Sequence, residues 1–252
     1  MREEDLQFKK FVEDMANRAY KNGTYTYTKF LDPAKCSIAH NVTDNMPAGE
    51  YEYFGGCDES ERVILRFGNI QNAGYEEQFP ISTLMISPLN NKFADVISHR
   101  DVLGAVLNLG LSRDVIGDIY VGDDAIYLFC HENVEEFIRE NLTRIKHTTV
   151  NIEATGEKPC SVGPVFKEKV IIVPSLRTDL IISKVFHISR SESELLFSRE
   201  KVFINGRLCS KSGVPLRAGD TVSVRGCGKF IFDNEISVTK KGNTSIRVRQ
   251  YV

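Results

Sequence analysis

Between residues 79 and 154 the hydrophobic period of the chain switches back and forth between two and 3.6, and few topologies absorb that order of elements. Ile81 to Ser87 reads as a strand. His99 to Leu109 has helical spacing, with Ser98 as N-cap, Asp101 three residues on in the manner of a capping box, and Gly110 closing it. Ile116 to Val121 and Ala125 to Cys130 are strands joined at Gly122-Asp123-Asp124, a hairpin signal. Asn133 to Ile145 brings Val134, Phe137, Ile138 and Leu142 to helical spacing, and Thr148 to Glu153 closes as a strand. The order β-α-β-β-α-β is a split βαβ arrangement. On its third strand Tyr127 and Phe129 share one face, while Ile126, Leu128 and Cys130 take the other.

The last third of the chain has a different rhythm. A helical pattern starts at Ser175 and carries Leu180, Ile181 and Val185 on its apolar face. A second helix follows Ser189, with Glu192 at capping-box spacing. Val202-Phe203-Ile204 is a short strand leading to a tight turn at Asn205-Gly206, and Ala218-Gly219-Asp220 turns into Thr221-Val222-Ser223-Val224. Ser245 to Tyr251 alternates with period two, placing Ile246 and Val248 inward and Arg247 and Arg249 outward. Residues 175–252 hold fourteen Lys and Arg against seven Asp and Glu, a net +7, so residues 1–174 carry −9 behind a total of only −2. A small domain this basic is what a polyphosphate partner attracts.

Ahead of both stretches, residues 3–20 form an amphipathic helix ended by Asn22-Gly23. Thr24 to Thr28 has strand composition, and from Leu31 to Gly74 the pattern is short strands and turns, including Ala48-Gly49, Tyr51 to Phe54 and Arg62 to Phe67. Gly55-Gly56 is a turn rather than a phosphate loop, because no Lys-Ser/Thr at a helix start follows it. The first residues lack the pattern of a signal peptide and no apolar run reaches membrane length, so the expected location is the cytoplasm. Six scattered cysteines without a C-x-x-C pair are expected to be reduced thiols. Cys36, His40 and Cys57 are the best available metal ligands, but a structural zinc site wants four in closer pairs, and neither metal nor cofactor is expected.

Helix, helix, Val202-Phe203-Ile204-Asn205-Gly206, Gly219-Asp220, strand and the basic Arg225-Gly226-Cys227-Gly228-Lys229-Phe230 resemble the S4 RNA-binding domain. Phe30-Leu31-Asp32-Pro33, the segment from Phe54-Gly55-Gly56 to Glu61-Arg62, and the long run Ile97 to Ile119 are similar to the YlmH-type S4-domain proteins of bacteria, over nearly the whole chain. The resemblance implies an α+β protein with an N-terminal α/β region (1–76), a ferredoxin-like, RRM-like βαββαβ domain (77–156), a linker or sheet-edge segment (157–174) and an S4 domain with C-terminal strands (175–252). One departure is Glu200, where S4 domains commonly have Gly. It implies a C-cap for the second helix that is not left-handed.

The function implied by the resemblance is non-enzymatic RNA binding on the bacterial ribosome. Relatives act in quality control on obstructed large subunits and contact ribosomal RNA and peptidyl-tRNA. The expected partners are therefore rRNA, tRNA and the large subunit, with no membrane partner and a monomeric state. Arg177, Ser189, Arg190, Lys201, Arg225 and Lys229 are the expected S4 contacts, with a phosphate at the N-terminus of the second helix. Arg100, Arg113, Tyr127 and Phe129 are secondary RNA contacts, although packing against the N-terminal region competes for the Tyr127/Phe129 face. His99 and Asp101 stand two apart and face different ways on a helix, so capping explains them better than catalysis. Two alternatives are an S4-targeted RNA-modifying enzyme, for which Asn205-Gly206-Arg207-Leu208-Cys209 lacks the needed Asp, and a protein-interaction adaptor linked to cell division.

Overall fold

The computed structural model describes residues 3–47, 49–90, 94–122, 125–156, 166–239 and 242–251. Ala48, Asp123-Asp124 of the expected hairpin turn, 157–165 of the expected linker, and Lys240 and Lys241 lie outside them. The chain is α+β and divides into two units, Met1–Gly163 and Pro164–Val252.

The first unit opens with α1 (Glu3–Asn22), whose Val12, Met15 and Ala19 are buried. A three-stranded antiparallel sheet follows, built from β1 (Thr26–Tyr27), β2 (Tyr51–Phe54) and β3 (Ile64–Phe67) in the order β1-β3-β2. Between β1 and β2 lies α2 (Pro33–Thr43), a helix where the sequence pattern suggested only strands and turns. The signal was present in Asp32-Pro33. Asp32 accepts the Lys35 amide at 2.9 Å as N-cap, and proline at the first helical position gives up a donor that has no helical acceptor anyway. A four-residue α3 (Ile70–Ala73) completes this part.

The middle elements are β4 (Ile81–Pro88), α4 (His99–Leu107), β5 (Ile116–Val121), β6 (Ile126–His131), α5 (Glu135–Asn141), β7 (Arg144–Ile145) and β8 (Thr148–Thr155). Their sheet runs β5-β6-β4-β8-β7, the ferredoxin-like strand order with a short extra edge strand. The capping box of α4 forms as read, the Ser98 amide donating to Asp101 Oδ2 at 2.8 Å. Helix α5, expected to reach Ile145, stops at Asn141. Leu142 turns out of the helical region (ψ 79°), so that Arg144 and Ile145 can pair with Thr149 and Thr148.

The faces of the five-stranded sheet bury different things. Leu84, Ile86, Leu128 and Cys130 pack with Val102, Val106 and Ile138 from the helices. Tyr120, Tyr127 and Phe129 on the other face pack on Phe30 and Ile64 of the N-terminal part. Strand β3 serves both cores, with Ile64 toward this aromatic layer and Leu65 and Phe67 toward α1 and α2. Glycine makes the approach close enough: a Cβ on Gly117 would lie 2.8 Å from the Phe129 Cβ and the Phe30 ring, and one on Gly56 (φ +105°) 2.4 Å from the Phe129 ring.

The second unit contains β9 (Phe166–Val173), α6 (Thr178–Phe186), α7 (Arg190–Ser198), β10 (Val202–Ile204), β11 (Arg207–Leu208), β12 (Thr221–Val224), β13 (Gly228–Val238) and β14 (Thr244–Tyr251). Its sheet order is β11-β10-β12-β13-β14-β9. Residues 166–173, within the expected linker or sheet-edge segment, are thus an edge strand paired along the whole of β14. Val173 at its end is fully buried with Ile246 and Val248, as the alternation in both segments requires. Asn205 and Gly206 both have positive φ (50° and 75°), which makes the β10–β11 turn type I′.

Two outcomes test this packing. Gly117→Ala should lower stability by about 1–3 kcal/mol, the cost of overpacking a filled core, measured as a shifted urea midpoint at constant m-value. A fragment covering 164–252 should melt cooperatively, whereas 175–252 should melt far lower or not cooperatively. Without β9 it exposes Ile246, Val248 and the β14 edge.

Candidate nucleic-acid interface

The expected S4 contacts lie in one unit but are not equally available. Arg177 forms a two-pronged pair with Asp179, Nε to Oδ1 at 3.0 Å and Nη2 to Oδ2 at 3.1 Å. The Asp179 side chain is fully buried while that of Arg177 is 43% exposed. The hydrogen bonds and charge of Asp179 raise the Arg177 pKa further. Arg177 therefore neutralises a buried carboxylate at the start of α6, and its charge is largely spent inside the fold.

At α7 the capping box is complete: Ser189 Oγ accepts the Glu192 amide at 3.2 Å and donates to Glu192 Oε2 at 2.7 Å, and the Ser189 amide donates to the same oxygen at 2.8 Å. These bonds hold the Glu192 carboxyl below its usual range. A carboxylate thus already takes part of the helix N-terminus expected to meet a phosphate, and Ser189 is engaged by it. Arg190 beside it is exposed and holds no ion pair among the described residues.

Lys201 follows the other end of α7, on the order of 15 Å away at 1.5 Å per residue. Its carbonyl accepts the Arg225 amide at 2.9 Å, so these two cations neighbour each other. The turn that delivers Lys201 corrects the expectation for Glu200. Glu200 adopts φ +55°, its amide reaches the Phe197 carbonyl at 3.1 Å, and the Lys201 amide reaches Leu196 at 3.0 Å. That is a Schellman ending with glutamate in the position glycine prefers. The helix keeps a left-handed cap because these two bonds outweigh a conformational cost of about 1–2 kcal/mol.

Lys229 lies over the Tyr251 ring at 4.4 Å, on the outer face of the six-stranded sheet. Leu208, Phe203, Ser223 and Lys229 are successive cross-strand neighbours, and Tyr251 pairs with Phe166. Arg225 covers Phe203 at 5.0 Å, and Arg249 covers Phe166 at 4.9 Å while bonding Asp233 at 2.8 Å. This cation–aromatic row was not read from the sequence, apart from the alternation of Arg247, Arg249 and Tyr251.

In the first unit the secondary contacts sort the same way. Tyr127 is 7% exposed and Phe129 is buried completely, so neither offers a ring to a base. The N-terminal part, through Phe30 and Ile64, occupies the sheet face that an RNA-recognition module would present. Arg113 donates to the carbonyls of Ile116 at 2.6 Å and Gly117 at 3.1 Å, and burial, with Arg62 alongside, lowers it to about 10. It is a strut of the junction rather than a phosphate contact. Arg100 is exposed and without an ion pair among the described residues. Asp101 bonds Ser98 and Lys146, which hold it at about 2, while partial burial, Arg113 and Arg100 lower His99. Cys36, on α2, is buried in the core with α1 and β3, and Cys57 bonds Ser60 and Tyr120. No group of three metal-ligating side chains occurs among the described residues.

Residues 75–158 match the family described as "Putative RNA-binding domain in YlmH". The chain is 27% identical over 215 residues to the ribosome-associated protein quality control protein P2 of Bacillus subtilis (strain 168), covering 85% of this chain and 82% of that protein. A solved structure, the cell division protein ylmH from Streptococcus pneumoniae, is 21% identical with a TM-score of 0.48, covering 62% of this chain and 93% of that one. The YlmH-type resemblance read from the sequence is borne out.

The distinction between committed and available cations is measurable. Arg177→Ala should cost about 1–3 kcal/mol, because it leaves buried Asp179 unsatisfied. Arg190→Ala should stay within about 0.5 kcal/mol. Ser189→Ala should cost about 0.5–2 kcal/mol through loss of the cap. Denaturant melts of the three variants in one buffer check the ranking.

Proposed function

We propose that this protein is a non-catalytic RNA-binding protein of the bacterial ribosome, acting in the cytoplasm in quality control on obstructed large subunits and binding ribosomal RNA and tRNA there. The observation that carries the reading is the supply of uncommitted charge on the second unit. Lys184, Arg190, Arg199, Lys211, Arg217 and Arg247 are all exposed and hold no ion pair among the described residues. A surface of that kind is neutralised by phosphates, with release of their counterions. The match of 75–158 to an RNA-binding family and the name of the B. subtilis relative support the same reading. No helix among the described residues is long and apolar enough to cross a membrane.

Within this reading Arg190, Lys201, Arg225 and Lys229 act on phosphates and sugars, with Arg190 at the helix start and Lys201 with Arg225 at its far end. Arg177 and Ser189 act mainly by holding α6 and α7 in place for them. His99 and Asp101 serve the α4 cap and its surroundings, since Asp101 is already engaged by Ser98 and Lys146.

Titration of the whole protein with large-subunit ribosomal RNA should give an affinity that falls steeply with salt, about 0.7–0.9 in log–log slope for each phosphate neutralised. Arg190→Ala should weaken binding and reduce that slope by about 0.7 without altering the melt. Arg190→Lys should recover part of the loss. A flat salt response of the wild-type protein would sink the reading.

A further inference from the structure

The segment 75–158 matches an RNA-binding family, yet its sheet face is closed by the N-terminal part of the same unit. Its cations narrow the remaining choices. The described Lys and Arg of this segment are Arg100, Arg113, Arg139, Arg144 and Lys146. Arg113 is spent on backbone carbonyls and Arg139 pairs with Glu135 at 3.5 Å. The other three all line one groove of about 490 Å³, on the helix-covered side of the sheet.

The groove follows from the early end of α5. Because Leu142 leaves the helix, the chain drops to β7 and opens a cleft against α4, with Leu109 and Leu142 among its lining residues. Lys146 holds one wall by bonding Asp101 at 2.9 Å and the Val96 carbonyl at 3.0 Å, which also neutralises the one acid in the lining. Arg100 and Arg144 are exposed and hold no ion pair among the described residues. Asn108, Asn141 and Thr143 complete the polar lining, and Asn141 Nδ2 donates to the Phe137 carbonyl at 2.8 Å, leaving its Oδ1 to accept. The α4 edge of the groove, from Arg100 to Asn108, is roughly 12 Å long at 1.5 Å per residue, enough for two adjacent nucleotides. Guanidiniums suit phosphates, and an amide oxygen with a hydroxyl suits a ribose 2′-OH.

We propose that this groove between α4 and the α5–β7 connection is the RNA-contact surface of the segment, taking the sugar–phosphate backbone of an RNA strand with Arg100 and Arg144 on successive phosphates. The proposal rests on the reading that the protein binds RNA, and specifies that this segment does so without its sheet face and without base stacking.

The test uses the full chain and RNA extracted from purified large ribosomal subunits. It compares Arg100→Ala/Arg144→Ala with Lys10→Ala/Arg18→Ala, which removes the same charge from α1 outside the groove. The groove variant should lose roughly tenfold in affinity and about 1.4 in log–log salt slope, two phosphate contacts' worth, while the α1 variant changes less than about twofold. Arg100→Lys/Arg144→Lys, which keeps charge and fold, should fall between the groove variant and wild type. Equal losses in the two alanine pairs would reduce the effect to net charge and overturn the proposal. Unchanged affinity in both groove variants, with wild type bound, would overturn it while leaving RNA binding by the rest of the chain intact. Failure of the wild-type protein to bind would overturn the functional reading beneath it.

Discussion

The interaction on which the first unit depends is the burial of Phe129 between two glycines and the ring of Phe30. Gly56 has no side chain because the Phe129 ring occupies that space, and Gly117 has none because the Phe129 Cβ and the Phe30 ring occupy its own. Their absence lets β3 lie against the aromatic face of the five-stranded sheet. Because β3 also carries Leu65 and Phe67 into the core under α1 and α2, one strand joins two cores, and the N-terminal part cannot lift off without exposing both. Two half-buried arginines belong to the same seam: Arg62 and Arg113 both donate to the Ile116 carbonyl, and the Arg62 amide donates to Asp118, whose carboxyl burial pushes up.

That closure decides where charge can act. A ferredoxin-like sheet with a free face could stack bases. With the face closed, Arg100, Arg144 and Lys146 line a groove on the helix side, and in the second unit Arg190 lies at the start of α7 while Lys229 lies over Tyr251. In both units roughly the same division holds between arginines that satisfy buried groups, such as Arg177 and Arg113, and arginines that hold no ion pair among the described residues, such as Arg190, Arg100 and Arg144. Only the second kind can exchange water and counterions for phosphate without first breaking a native bond.

Much of this was legible in the chain. Both capping boxes, at Ser98 and Ser189, and the Asn205-Gly206 hairpin are local devices whose hydrogen bonds close within a few residues, so spacing alone reveals them. The split βαβ order was legible because each switch of period marks an element. The misses were of another kind. Helix α2 has weak amphipathicity, so that only its Asp32-Pro33 start distinguishes it from the short strands and turns around it. The end of α5 is set by β7 pairing across the chain, which helix propensity cannot anticipate. Glu200 keeps a left-handed cap against its own preference because two hydrogen bonds to α7 hold it there.

Residue order alone thus determined the elements with strong periodicity, their local turns and caps, and the separation of a −9 front from a +7 tail, since these depend on neighbours in the chain. It could not determine which face of a strand or which arginine remains open to solvent. Tyr127, Phe129, Arg113 and Arg177 look as available in the sequence as Arg190 does. They are withdrawn by residues far along the chain or by the fold around them: Phe30 and Ile64 for the rings, the carbonyls that β5 turns toward Arg113, and the burial of Asp179. Availability is a property of what packs where, and long-range packing and desolvation, which set it, exist only once the chain has folded.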